Sequence, residues 1–279
     1  MKDTQVWLAP AKINLFLHIT SRRPDGMHEL QTAFQFVDLV DEIQFDIHPH
    51  DAKITRAGHI ANVPESEDLT IRAAQQLQQW AQVTRGVTIN VSKNIPMGGG
   101  LGGASSDAAT TLHALNRLWG INADVDQLAE IGKSLGADIP VFIRGHSAWA
   151  EGVGEQLTPI DIEESWYLIV DSGIHVSTRE MFAHSQLTRN CPTLTICPPK
   201  PGEFGNVFES IVRTQHPEID EIFEWLNCHS SPFLTGTGGC VVAAFTDKQS
   251  ALEIQSKGPD GVTVHIARGR NQSPLLEQL

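Results

Sequence analysis

The chain is expected to fold as an α+β protein in two parts, a first unit over residues 1–155 and a second over residues 156–279. Three observations point there. Strand-like alternation comes early in the first part, amphipathic helical spacing follows it, and the second part then alternates strand and helix on its own rhythm. With 279 residues, 41% of them hydrophobic, the chain has enough apolar material for two modest cores.

In the first part, Ile13, Leu15, Leu17 and Ile19 alternate with Asn14, Phe16 and His18, the pattern of a strand with one buried face. Arg23-Pro24-Asp25-Gly26 carries turn chemistry, and residues 34–40 and 41–47 read as two further strands. Leu69, Ala73, Ala74, Leu77, Trp80 and Ala81 have helical spacing, and Val87, Ile89 and Val91 alternate again. Ala104, Ala108, Thr111, Leu112, Leu115 and Trp119 then share one face of a helix, with Ser105 or Ser106 available to begin it. A helix over residues 125–135 is expected to stop at a glycine C-cap, Gly136, with strand-like segments at 141–143 and 148–150.

In the second part, a strand at 166–170 precedes a helix near Thr178 and another helix, opened by Pro217, that carries Ile219, Ile222, Phe223 and Leu226. A strand at 240–245, a helix from about Gln249 and a strand at 262–267 complete an order that suits a split βαβ, ferredoxin-like sandwich. The Pro-containing stretch 188–205 reads as loop.

Charge narrows the function. There are 33 Asp and Glu against 20 Lys and Arg, a formal net charge of -13, and no Lys/Arg-rich run offsets it. Such a chain repels a phosphate backbone or an anionic membrane surface, so neither nucleic acid nor membrane is an expected partner. Cys191, Cys197, Cys228 and Cys240 form no CxxC pair and suggest neither a zinc site nor a disulfide framework. The apolar stretch at 13–19 is short and broken by Asn14 and His18, which does not suit a signal peptide, and a reducing cytoplasm is the expected compartment. His48-Pro49-His50-Asp51 resembles a metal cluster only superficially and reads as solvated loop.

The most informative segment is Pro96-Met97-Gly98-Gly99-Gly100-Leu101-Gly102-Gly103-Ala104-Ser105-Ser106, with five glycines in six positions ahead of a helix. Glycines permit positive φ and close backbone approach, so successive N–H groups can converge on an anion at the positive helix end. The expected ligand is a polyphosphate. Gly98, Gly100 and Gly103 also satisfy the dinucleotide pattern G-x-G-x-x-G, but Asn94-Ile95-Pro96 intervenes after the strand, and no acidic residue ends a second strand about twenty positions on. A Walker A loop is no better, with Ala104 where its lysine belongs. Gly132-Lys133-Ser134 offers the right ending, but Gln127 stands at the upstream glycine position.

Three separated segments, Pro10-Ala11-Lys12-Ile13-Asn14-Leu15, the run from Pro96 to Ser106, and Leu234-Thr235-Gly236-Thr237-Gly238-Gly239, together resemble the three motifs of the GHMP kinases. Further segments resemble the branch of that family acting on a cytidine diphosphate sugar alcohol in non-mevalonate isoprenoid synthesis. They are Asp25-Gly26-Met27-His28-Glu29-Leu30-Gln31-Thr32, Leu135-Gly136-Ala137-Asp138-Ile139-Pro140-Val141-Phe142, Ala150-Glu151-Gly152-Val153-Gly154-Glu155 and Asn271-Gln272-Ser273-Pro274-Leu275. The resemblance implies a two-domain GHMP kinase fold, ATP as phosphoryl donor with Mg2+, small-molecule partners only, and both ligands in the cleft between domains. It names no protein ligand for the metal.

Taken alone, Lys12 is a basic residue at a strand start, Asp138 a turn or helix-cap aspartate, and Phe182 a helix-core residue. The resemblance makes Lys12 and Asp138 catalytic, with Asp138 either general base or electrostatic orienter of the acceptor hydroxyl. It assigns Pro96, Met97, Gly98, Gly99, Gly100, Leu101, Gly102, Gly103, Ser105 and Ser106 to ATP, with Lys93 and Met97 bordering adenine. Asn14 falls near the acceptor hydroxyl, His28 at the cytosine edge, and Thr178 and Phe182 against the substrate. Gly236, Thr237, Gly238 and Gly239 support the loop. Two positions depart from the family pattern: Met27 stands where a tyrosine is usual, and Asp68 where an asparagine is usual.

Overall fold

The computed structural model describes residues 5–61 and 63–279. Its spine is an antiparallel hairpin of β1 (Trp7–Arg22) and β2 (His28–His48). Their turn closes as the sequence suggests, with the Arg23 N–H donating to the Met27 carbonyl at 2.8 Å and Gly26 at φ +87. The two strands expected at 34–40 and 41–47 are one continuous strand. Asp41 interrupts the apolar pattern there, but no glycine or proline breaks the backbone, and its buried carboxylate has partners of its own.

β1 differs from its sequence pattern in a way that matters for the site. Both of its faces are buried from Ala9 to Leu17, because the nominally polar face lies under the glycine-rich loop instead of facing water. Irregularities in the β1–β2 register, between Pro10 and Lys12 and between Asn14 and Leu17, flank Lys12 and Asn14.

β3 (Ile54–Ala57), α1 (Leu69–Trp80) and β4 (Gly86–Ser92) follow, with β3 parallel to β4 and β4 antiparallel to β2. Next come α2 (Gly103–Leu118), α3 (Val125–Leu135) and α4 (Ile139–Arg144), and then β5 (Ala148–Glu151), which pairs with β2, and β6 (Gln156–Pro159), which pairs with β5. The strand expected at 141–143 is therefore helix α4. Five consecutive residues, Ile139 to Ile143, are all buried, and a run with no polar face carries no period that separates helix from strand. α3 ends at Gly136 as expected, but in extended backbone that any residue can adopt.

The second part comprises β7 (Trp166–Asp171), α5 (Thr178–Ala183), α6 (Glu209–Gln215), α7 (Pro217–Asn227), β8 (Pro232–Leu234), β9 (Cys240–Phe245), α8 (Lys248–Gln255) and β10 (Thr263–Arg270). Its strands lie in the order β10-β7-β9-β8, all antiparallel, which is the split βαβ arrangement. Residues 188–205 form no helix or strand.

One apolar cluster packs α1–α4 on the first part's strands, and a second packs α5–α7 on β7–β9. A third, including Ala11, Ile13, Leu15, Trp149, Tyr167, Ile169 and Val242, joins the two parts. The sheet is also continuous across them, since Gly269 and Arg270 of β10 pair with Val37 and Phe36 of β2. Among the strands of the described residues only β3 and β4 pair with each other in parallel, so this is not a doubly wound dinucleotide-binding sheet.

Candidate active site

The glycine run leaves β4 and enters α2. Gly102 is the N-cap, left-handed at φ +73 and without a side-chain cap, so the helix is not begun by Ser105 or Ser106. Both serines sit in the first turns instead. The Ser106 hydroxyl is buried without a partner, while Ser105 is half-exposed. A helix opening on glycine leaves its first N–H groups available to an anion.

The turn from Gly236 to Gly239 lies directly against this loop. A Cβ on Gly239 would stand 2.7 Å from the Gly98 carbonyl oxygen, and one on Gly100 would stand 2.3 Å from that of Thr235. The Thr237 and Thr178 hydroxyls are 2.9 Å apart, so the same turn also touches the start of α5.

Beneath the loop, Lys12 and Asn14 project from the same face of β1. The Lys12 ammonium donates to Asn14 Oδ1 at 2.5 Å and to the Gly100 carbonyl at 3.0 Å, and lies 3.6 Å from Asp138 Oδ2. The Asn14 amide donates to the Thr32 hydroxyl at 2.8 Å, and that hydroxyl donates to the Phe16 carbonyl at 2.5 Å, which orients the whole chain of donors. The Asn14 backbone N–H donates to the Thr235 hydroxyl at 2.9 Å, tying β1 to the second glycine turn. Burial draws the Lys12 ammonium below the usual lysine range, and Asp138 opposes this.

Asp138 occupies the N-cap position of α4, yet its side chain makes no capping bond. Its carboxylate points at Lys12 and keeps 38% of its surface exposed, so a ligand can reach it. An N-cap aspartate ordinarily bonds the first turn, and this one instead faces the ammonium.

Lys93 is paired within the protein. Its ammonium bridges the carboxylates of Asp41 and Asp107, the latter at 2.7 Å. Asp41 Oδ1 accepts the N–H groups of Asn94 and Ile95 at 2.5 and 2.8 Å, so the trio anchors the start of the loop. Burial, with Asp41 adding to it and Lys93 opposing, pushes the Asp107 carboxyl up to about 7. Met97, by contrast, is 52% exposed. Asp68 caps α1 through Thr70 and pairs with Arg56 at 2.9 Å, so its carboxylate is engaged within the protein.

A second group gathers at the mouth of the β1–β2 hairpin. Met27 is 52% exposed, and the His28 and Phe182 rings lie 5.3 Å apart at 36°. Phe182 meets Phe208 edge-on at 5.0 Å. Sequence reasoning missed Thr32, Thr235, Asp41, Asp107 and Arg189, all of which hold these groups. Arg189 falls in an aperiodic loop and carried no signal. Asp41 gave one, as a carboxylate breaking an apolar run.

A glycine-lined helix start over a buried lysine, completed by a split βαβ half, marks a class of small-molecule phosphotransferase. The chain matches the GHMP kinases N terminal domain over residues 68–146 and the GHMP kinases C terminal domain over residues 200–261, and it belongs to the GHMP kinases, which use ATP as phosphoryl donor. Within that class, two similar relatives share one name. It is 48% identical to the 4-diphosphocytidyl-2-C-methyl-D-erythritol kinase of Marinobacter nauticus, over 97% of this chain and 96% of that one. It is 49% identical to the enzyme of the same name from Nitrosococcus oceani, over 98% of both chains. A crystal structure of 4-(cytidine 5'-diphospho)-2C-methyl-D-erythritol kinase superposes with a TM-score of 0.82 at 28% identity, covering 95% of this chain and 99% of that one.

Proposed function

We propose that this protein transfers the γ-phosphoryl group of ATP to the 2-hydroxyl of 4-diphosphocytidyl-2-C-methyl-D-erythritol, a step of non-mevalonate isoprenoid precursor synthesis. The observation that carries the chemistry is the convergence of Lys12, Asn14, Asp138 and the Gly100 carbonyl in one buried cluster under the glycine loop. The relatives' names supply the acceptor.

In this arrangement the uncapped first turn of α2 receives the phosphates of ATP, and the loop glycines let the backbone approach them. The acceptor hydroxyl lies between Asn14 and Asp138. Its oxygen forms a bond to the γ-phosphorus as the bond from that phosphorus to the bridging oxygen of ADP breaks, ADP leaving with the electron pair. The hydroxyl proton passes to the Asp138 carboxylate or, in a loose transition state, leaves later with Asp138 acting as orienter. Lys12 lies beside the Asp138 carboxylate and places a positive charge where the transferred group gains negative charge.

Magnesium fits as an ion held mostly by phosphate and water. Among the described residues no group of three His, Cys, Asp or Glu side chains is placed to hold a metal, while the unpartnered Ser106 hydroxyl offers a single oxygen at the start of α2. When bound it would neutralise polyphosphate charge. The cytosine would lie between Met27 and Phe182 with His28 at its edge. Four unpaired cysteines suit a reducing cytoplasm, and no helix among the described residues is long and apolar enough to cross a membrane.

A coupled ADP-release assay tests the assignment with 4-diphosphocytidyl-2-C-methyl-D-erythritol, mevalonate, homoserine and galactose as acceptors. Turnover on the cytidine compound alone is expected. Turnover on another alcohol instead would replace it with a different GHMP kinase activity, which the Met27 departure would then explain.

A further inference from the structure

Arg189 lies outside every motif, yet all three of its guanidinium nitrogens donate hydrogen bonds around the proposed base site. It donates to the Leu187 carbonyl at 3.1 Å, the Phe182 carbonyl at 2.9 Å and the His184 carbonyl at 3.0 Å. Its Nε–H points to His28 Nε2 at 3.0 Å. A guanidinium in a protein has only donors and keeps its proton, so the atom it faces must present a lone pair. His28 Nε2 is therefore the acceptor nitrogen, and the neutral ring carries its proton on Nδ1. Nδ1 makes no hydrogen bond to a described residue.

We propose that Arg189 is a positioning residue for base recognition, holding His28 as the neutral Nδ1–H tautomer so that its imidazole meets the substrate base as a hydrogen-bond donor. The ring then selects an acceptor on the pyrimidine edge and not the exocyclic amine. Because three of the four Arg189 bonds end on the segment running from α5 to Leu187, the same residue couples His28 of the first part to Phe182 of the second. Proton affinity agrees: partial burial, then the charges of Arg189 and Arg22, lower the His28 pKa, which keeps the ring neutral. This inference rests on the base site proposed above.

Nitrogen NMR of His28 in the full-length, ligand-free protein reads the tautomer without any variant. Protonated Nδ1 and bare Nε2 are expected at neutral pH, and a proton on Nε2 would overturn the proposal. In Arg189→Met the tautomers should mix and the His28 pKa should rise. With the base donor no longer held, KM for the cytidine substrate should rise about 3- to 10-fold while kcat and KM for ATP stay within about twofold, since the contact is made equally in ground and transition states. A variant that melts like wild type but keeps the wild-type tautomer or the wild-type KM also overturns it. Failure of the base-site assignment looks different, because wild type itself would then not turn over the cytidine substrate in the acceptor panel.

Discussion

Gly100 and Gly236 meet backbone to backbone across 136 residues of sequence: a Cβ on Gly236 would stand 2.9 Å from both the Cα and the carbonyl oxygen of Gly100. Gly236 also has φ +58. Gly236→Ala should therefore displace the phosphate loop, raising KM for ATP severalfold and destabilising the fold by about 1–3 kcal/mol. Gly173→Ala is the control, with φ +70 but open space around its Cβ, and should cost only the backbone term of about 1 kcal/mol. Equal effects on ATP kinetics from both variants would mean that the contact does not shape the loop.

Asp138→Asn should lower kcat by about 10² to 10⁴ with little change in KM for ATP, because the carboxylate acts on the acceptor hydroxyl and not on the nucleotide. Thermal stability should fall modestly, since the buried Lys12 ammonium loses its facing charge although Asp138 caps nothing. Steady-state kinetics with each substrate varied in turn decides it, and near wild-type kcat would remove Asp138 from the site.

Asp107 predicts a pH effect on stability. Its carboxyl is raised from 3.8 to about 7 in the folded protein, so the folded state holds its proton more tightly than the unfolded chain. That contribution is complete below about pH 4 and is lost as pH rises through 7. Asp107→Asn escapes the loss. Its melting temperature should exceed that of wild type by a few degrees at pH 8, with the gap closing towards pH 5. A variant less stable than wild type at pH 8 would show that the attraction of Lys93 outweighs burial and repulsion from Asp41.

Met27→Tyr should lower KM for the cytidine substrate by a few-fold at unchanged kcat, because a stacked ring adds about 0.5–1.5 kcal/mol over an aliphatic contact. Phe182→Ala should raise it much more, and it should also cost some stability through the lost edge contact with Phe208. Substrate kinetics indifferent to both changes in a folded protein would place the base elsewhere.

The two-part α+β order was legible because its signals are local. The strand around Val87, Ile89 and Val91 and the helix at 125–135 were readable from period, cap and breaker residues alone, and the glycine run from five glycines facing a helix. The misread segments had no such period. Residues 139–143 are buried on all sides, which erases the difference between strand and helix, and β2 runs on through Asp41 because a partner elsewhere satisfies its carboxylate.

By itself the sequence determined which residues carry chemistry-bearing groups, the class of ligand the glycine run could take, and the family to which the motifs belong. Only the tertiary structure decided how those groups are used. It buries the polar face of β1, so that Lys12 and Asn14 point under the loop. It directs Asp138 to an ammonium 126 positions away instead of to its own helix, and it sets Arg189 against His28. These pairings join residues far apart in the chain, and their geometry follows from how β1, α4 and the loop after α5 pack, which no local period or motif encodes.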